Sequence, residues 1–191
     1  MMRTFLVYSR GPETQGAEPV PPAGVEFELA GHFSLEKFFA NHVHYNLFQS
    51  FLNDRHIGLI LHDGQQWLSY AWMANPQSPA PPHLPQWVRT LSPYWIFFCH
   101  TKEAFRRRGL YKLAIDFLCR SALEGRLGPP AQKVLIDTES SNRASRNGIV
   151  SAGFKEYGAL VCHYLRLPSF SKAFKWHWHE YAGMPCNQFK I

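Results

Sequence analysis

The run Arg106-Arg107-Arg108-Gly109-Leu110-Tyr111 gathers the groups in this chain best suited to hold a phosphorylated ligand. It lies between an apolar stretch, Tyr94–Cys99, and a segment of helical periodicity. At a helix N-terminus several main-chain N–H groups lack an intrahelical partner and the macrodipole is positive, so a turn placed there attracts a diphosphate. Gly109 allows the main chain to approach such a ligand closely. The arginines add long-range attraction and a contact for a further phosphate. A solvated basic turn is the alternative reading of the same residues.

Other reactive side chains point elsewhere. His42 and His44, and His177 and His179, are spaced by two, which puts a pair on one face only in a strand. No adjacent Cys or acidic cluster completes a tetrahedral set, so no metal site is expected. A Ser-His-Asp hydrolase lacks its Gly-x-Ser-x-Gly elbow. Cys99 lies in an apolar strand, where burial raises a thiol pKa, and reads as a packing residue.

The elements that position the basic turn follow from hydrophobic pattern. Residues 2–8 and 25–30 are β-prone and predict an opening pair of strands joined by a long proline-rich connection. Ser34 is placed to cap a helix that continues, with a break, to about Asn53. Residues 55–62 and 66–74 form a strand pair around Asp63-Gly64. The proline-rich segment Asn75 to Ser92 reads as a long surface loop. Tyr94–Cys99, apolar throughout, predicts a strand buried on both faces.

A helix from about Gly109 to Glu124 carries its apolar stripe at 110, 113, 114, 117, 118 and 122. Lys112, Asp116, Arg120 and Glu124 lie mostly off that stripe. A buried strand at Val134–Ile136, a helix from Asn142 to Ala152 and a last strand at 158–167 complete the pattern. Strand–helix–strand in mid-chain with flanking antiparallel strands is a mixed α/β sheet. The expected organisation is one domain over 1–167 and an aromatic, basic tail over 168–191 that packs on it. That tail also offers a surface for a partner subunit, as in a homodimer.

Two motifs together make this chain resemble the GCN5-related N-acetyltransferases. Arg106 and Gly109 match the family's Arg/Gln-x-x-Gly-x-Gly/Ala turn, which follows the fourth strand and opens the third helix. Tyr111 replaces the last small residue. Asn142-Arg-Ala-Ser145, with Gly153-Phe154 eleven residues after the asparagine, is similar to the family's Asn-x-x-Ser/Ala helix after the fifth strand. The resemblance covers residues 93–157.

What the resemblance implies is a single mixed, mostly antiparallel sheet whose fourth and fifth strands splay apart, flanked by helices. The pantetheine arm of acetyl-CoA, or of another acyl-CoA, would then lie against main-chain groups near Phe98, Cys99 and Thr101. The pyrophosphate would sit on the amides of Arg106, Arg107, Arg108, Gly109, Leu110 and Tyr111. Asn142 and Ser145 would face the cofactor. An amine attacks the thioester directly, so the rate gain comes from placement and from an N–H at the oxyanion. The tyrosine that many members use as acid falls at Ile149 and is absent. Ser145, Tyr111, Tyr157 or water are the substitutes. Asp137, Glu139 and His100, at strand ends, are the candidate bases.

Composition bounds the rest. The chain has 191 residues, a formal charge of +6 and four cysteines without a CxxC pair. Its basic residues are scattered, which disfavours nucleic acid as a partner. The N-terminal segment has neither the apolar run nor the cleavage site of a secretory signal, and no stretch is long enough for a membrane span, so the expectation is a cytoplasmic protein. The leading function is acetyl transfer to a primary amine of a small polar metabolite, such as an amino sugar or a related biosynthetic intermediate, with no metal. The competing functions are acetylation of a protein or aminoacyl-tRNA amine, transfer of a longer acyl chain, and a non-catalytic CoA-binding module.

Overall fold

The computed structural model describes residues 2–14, 18–167 and 170–181. In chain order its strands are β1 (Met2–Arg10), β2 (Glu26–Leu29), β3 (Ile57–His62), β4 (Trp67–Ala74), β5 (Trp95–Thr101), β6 (Val134–Glu139), β7 (Lys155–Leu167) and β8 (Phe170–Glu180). Its α-helices are α1 (His32–Phe39), α2 (Tyr45–Asn53), α3 (Leu110–Leu123) and α4 (Arg143–Ser151). The chain is mixed α/β, and its residues form two compact units. One spans Gly11–Val134, and the other joins the first ten residues to those from Leu135 on.

In the Gly11–Val134 unit the strands run β2-β3-β4-β5, each pair antiparallel. β4 is buried along its whole length, which requires cover on both faces. Tyr70 and Trp72 turn to one face and meet Phe48 of α2 at ring distances of 5.0 and 5.4 Å. Phe39 of α1 packs on Trp67 and Tyr70. α3 packs over β3, β4 and β5. The resulting core is aromatic: Phe39, Phe48, Phe51, Trp72 and Trp95 are all buried. Each tilted or edge-on pair among such rings adds about 0.5–1.5 kcal/mol beyond the area it buries.

Local details depart from the sequence expectations in three places. Ser34 does not precede α1 but is its third residue, and its Oγ accepts the Gly31 N–H from inside the helix (2.9 Å). The segment Asn75 to Ser92 is the expected loop, with a 3-10 turn at Gln86–Thr90, but it does not lie wholly at the surface: it buries Ala80, Leu84 and Val88, and the Asn75 N–H donates to Ser78 Oγ (2.9 Å). Arg120, expected off the stripe, is 5% exposed and faces Glu124 at 3.7 Å. The last turns of α3 are buried nearly all round, so the one-stripe pattern fails there.

In the other unit the strands run β6-β1-β7-β8. β1 pairs antiparallel with β7, from Met2 opposite His163 to Ser9 opposite Lys155. The opening strand pair therefore does not form, because β1 finds its partner near the far end of the chain while β2 pairs with β3. α4 is tied down by Arg10, which is 4% exposed and donates Nη1 to the Ala152 carbonyl at 2.9 Å. β7 is not the last strand, since Phe170–Glu180 of the aromatic tail pairs with it as β8. Residues 168–169 and 182–191 of that tail lie outside the described residues, Cys186 among them.

Candidate functional site

The candidate cofactor residues of the Gly11–Val134 unit lie on one strand–turn–helix segment. The strand that the resemblance equates with the family's fourth is β5 in chain order. It is buried at Trp95, Ile96 and Phe97 and then emerges. Phe97 opposes Trp72 and His100 opposes Tyr70, so Phe98 and Cys99 together face Ala71. That two-against-one count is a β-bulge, which breaks the ladder and re-aims the strand. Phe98 adopts φ 48°, a left-handed conformation that costs a bulky residue about 1–3 kcal/mol and persists only where packing holds it.

Here packing does hold it. The Phe98 ring stacks on Tyr70 (6.3 Å) and meets His44 edge-on (5.2 Å), while 38% of the residue remains exposed. The expected two-sided burial therefore stops at Phe97. Beyond the bulge, Ser69 Oγ donates to the His100 carbonyl (2.9 Å) and shares a hydrogen bond with Thr101 Oγ1 (2.8 Å). The Thr101 hydroxyl is thus tied to β4.

After a short 3-10 turn at Glu103–Phe105, the backbone alternates in hand. Arg106 is at φ −62°, Arg107 at φ 64°, and Gly109 at φ 75° as the N-cap of α3. Mixed-handed turns of this kind point successive N–H groups into a concavity that takes an anion. Gly109 meets both demands of its place. Its φ is in the region that favours glycine, and a Cβ there would find nothing within 4 Å. Arg106, Arg107 and Arg108 are exposed, with Arg106 3.8 Å from Glu103 and Arg108 over the Phe105 ring. Leu110 is buried and anchors the helix start, and Tyr111 is half-buried. A cavity of about 340 Å³ adjoins the turn, lined in part by Pro22, Val25, Phe105, Arg108 and Leu110.

The remaining candidates belong to the other unit. Asn142 is the N-cap of α4 and its Oδ1 accepts the Ser145 main-chain N–H at 3.1 Å. Ser145 is half-buried on the first turn. Asp137 is half-buried on β6, and Glu139 at the end of that strand lies 3.4 Å from Arg3. Ile149 is fully buried, so α4 offers no hydroxyl at that position. Tyr157 packs against Trp178.

The sequence reading weighed His42 and His44 only as metal ligands and missed what they join. The turn between α1 and α2 brings both beside β4 and β5. His42 lies 5.3 Å from the His44 ring, 5.3 Å from Trp67 and 6.3 Å from Tyr70. His100 lies 5.9 Å from Trp67 and 5.8 Å from Tyr70. The pKa of His42 is lowered, first by burial and then by His44, His100 and Lys102. That of His100 is lowered by burial, then by Arg106 and His44. Burial, with Cys99 alongside, pushes the Tyr70 hydroxyl up. Among the described residues, no group of three or more His, Cys, Asp or Glu side chains is placed to hold a metal ion.

A bulged strand, a mixed-handed basic turn and a glycine-capped helix thus follow one another in a mixed α/β protein. Solved structures place its fold more narrowly. An acetyltransferase of the GNAT family from Colwellia psychrerythraea superposes with a TM-score of 0.59 at 15% identity, over 92% of this chain and 57% of that one. A GCN5-related N-acetyltransferase-like protein from Streptococcus suis 89/1591 gives a TM-score of 0.53 at 17% identity, over 92% and 63%. A tandem GNAT protein from the clavulanic acid biosynthesis pathway gives 0.56 at 10% identity, over 94% and 54%.

The chain therefore has the fold of the GCN5-related N-acetyltransferases, and it spans little more than half the length of these structures. No family model and no curated protein matches its sequence. Among the described residues, no helix is long and apolar enough to cross a membrane.

Proposed function

We propose that the chain transfers an acetyl group from acetyl-CoA to the primary amine of a small polar molecule. The observation that carries this reading is the β5–turn–α3 segment, with its bulge at Phe98 and its open, positive-φ glycine at the head of α3. The fold and the Arg106-x-x-Gly109 spacing support it together. Bound acyl-CoA would supply an activated acyl carbon and a thiol leaving group.

The residues present fit that group. The N–H groups from Arg107 to Tyr111 would hold its pyrophosphate, and Arg106, Arg107 and Arg108 would neutralise it. Main-chain groups around the bulge at Phe98 and Cys99 are the natural contacts for the pantetheine amides, since the ladder to β4 is interrupted there. Asn142 and Ser145 support the reading as the second half of the motif pair. No side-chain nucleophile is required, because amine and thioester react directly once held together.

The test is release of free thiol from acetyl-CoA with a panel of primary amines, followed by mass spectrometry of the products. Amine-dependent thiol release with an N-acetylated product supports transfer. Acetyl-CoA binding without release on any amine favours a CoA-binding module instead.

A further inference from the structure

We infer that His56 is an acid-operated latch on the bulged end of β5. Neutral, it locks the end of α2 against Phe97; protonated, it lets the two part. The latch is a property of the Gly11–Val134 unit and stands whether or not the bulge receives a thioester arm.

The way α2 ends puts the histidine in place. The Arg55 N–H donates to the Leu52 carbonyl and the His56 N–H to the Phe51 carbonyl, both at 2.9 Å, with Arg55 at φ 61°. This is a Schellman ending, in which the residue after the left-handed one usually makes an apolar contact with the last turn of the helix. Here that residue is His56. Its ring lies edge-on to Phe51 at 5.7 Å and to Phe97 at 5.0 Å. It is buried, and neither ring nitrogen has a hydrogen-bond partner among the described residues. A place suited to a hydrocarbon side chain thus holds a titratable one.

The same rings support the bulge. Phe97 is the last buried residue of β5 before it, and Phe51 meets Phe98 edge-on at 5.6 Å. Among the described non-glycine residues, positive φ occurs at Arg55, Phe98 and Arg107. Two of these, Arg55 and Phe98, bracket the His56–Phe51–Phe97 contact. Such conformations persist only while packing holds them, so withdrawal of the His56 ring releases both together.

The charged groups that bear on His56 are few. Asp54, exposed at the end of α2, favours the cation, and Arg89 of the Gln86–Thr90 turn opposes it. Phe51 of α2 and Phe97 of β5 bring rings alone, and the Arg55 carbonyl is taken by Asn75 Nδ2 at 2.6 Å. Burial outweighs Asp54, so the closed site keeps the imidazole neutral. Once open, the ring titrates at its ordinary value of 6.5. Acid therefore favours the open state, whose equilibrium constant grows about tenfold from pH 7.5 to 5.5.

The experiment measures native-state amide hydrogen exchange of the full chain at pH 7.5 and 5.5, corrected for the intrinsic rate. It follows residues 50–56 and 95–99, with α3 as the internal reference. The expected result is protection lowered about tenfold at pH 5.5 in both segments and unchanged in α3. The fall should vanish in His56→Leu and His56→Phe and persist in His100→Gln. No fall in the wild type, an equal fall in α3, or a fall that persists in either folded His56 variant overturns the latch. Should neither variant fold, the wild-type imidazole decides by NMR. A His56 ring that takes its proton near pH 6.5 while both segments stay protected overturns the latch as well, and one that stays neutral until they open supports it.

Discussion

At the scale of single residues, charge state follows from burial more than from neighbouring charge. His56 is the clearest case. It is 3% exposed, packs edge-on against Phe51 and Phe97, and neither ring nitrogen has a hydrogen-bond partner among the described residues. Burial lowers its pKa, against a smaller opposing effect of Asp54. The unfolded chain therefore binds a proton below about pH 6.5 that the folded chain refuses, and stability is lost as pH falls through that window. His42 and His100, also lowered, add in the same direction. Urea midpoints are expected to drop between pH 7.5 and 5, and His56→Phe, which removes the buried base, should flatten that slope. An unchanged slope in the variant would assign the pH dependence elsewhere. Gly109 was legible from sequence because it does a local job, a positive-φ turn, whereas Asn142 was read there only as a motif residue facing the cofactor and its capping of α4 emerges from the fold. His42 and His44 were not legible, because only folding of the α1–α2 turn onto β4 gives them their neighbours.

At the scale of elements, the helices were easier to read than the strand partners. α3 and α4 have near neighbours, periodic stripes and caps, and their positions match the expected ones to within a residue or two. Strand pairing is a long-range choice. Residues 2–8 are equally β-prone whether they join β2 or, as they do, β7. The bulge at Phe98 was equally hidden, since an apolar run does not announce where the ladder skips a residue.

Two predictions belong to elements. Asn142→Ala removes the cap of α4 and should cost about 0.5–2 kcal/mol in chemical denaturation, whereas Asn142→Asp should keep most of it. Gly58→Ala should destabilise β3 by about 1–3 kcal/mol, because a Cβ there would stand 2.6 Å from Ala30 Cβ and 2.9 Å from the Trp72 ring. Loss of less than about half a kcal/mol at Gly58 would mean that the Trp72 ring yields more easily than a packed core allows.

At the scale of the whole molecule, the mixed α/β class was legible because strand and helix periods alternate along the chain, and the paired motifs pointed to the family whose fold the chain has. The acceptor was not legible in any single stretch of sequence. The central claim is that the turn from Arg106 to Tyr111 binds acyl-CoA. Thermal unfolding with and without excess acetyl-CoA tests it most directly. A ligand present at a hundred times its Kd stabilises by about 2.7 kcal/mol, and each kcal/mol is worth about 2–4 °C for a chain of this size. A rise of several degrees is expected, largely lost in Gly109→Glu, provided the variant unfolds cooperatively by itself. No rise with acetyl-CoA or free CoA, or an equal rise in the glutamate variant, would contradict it.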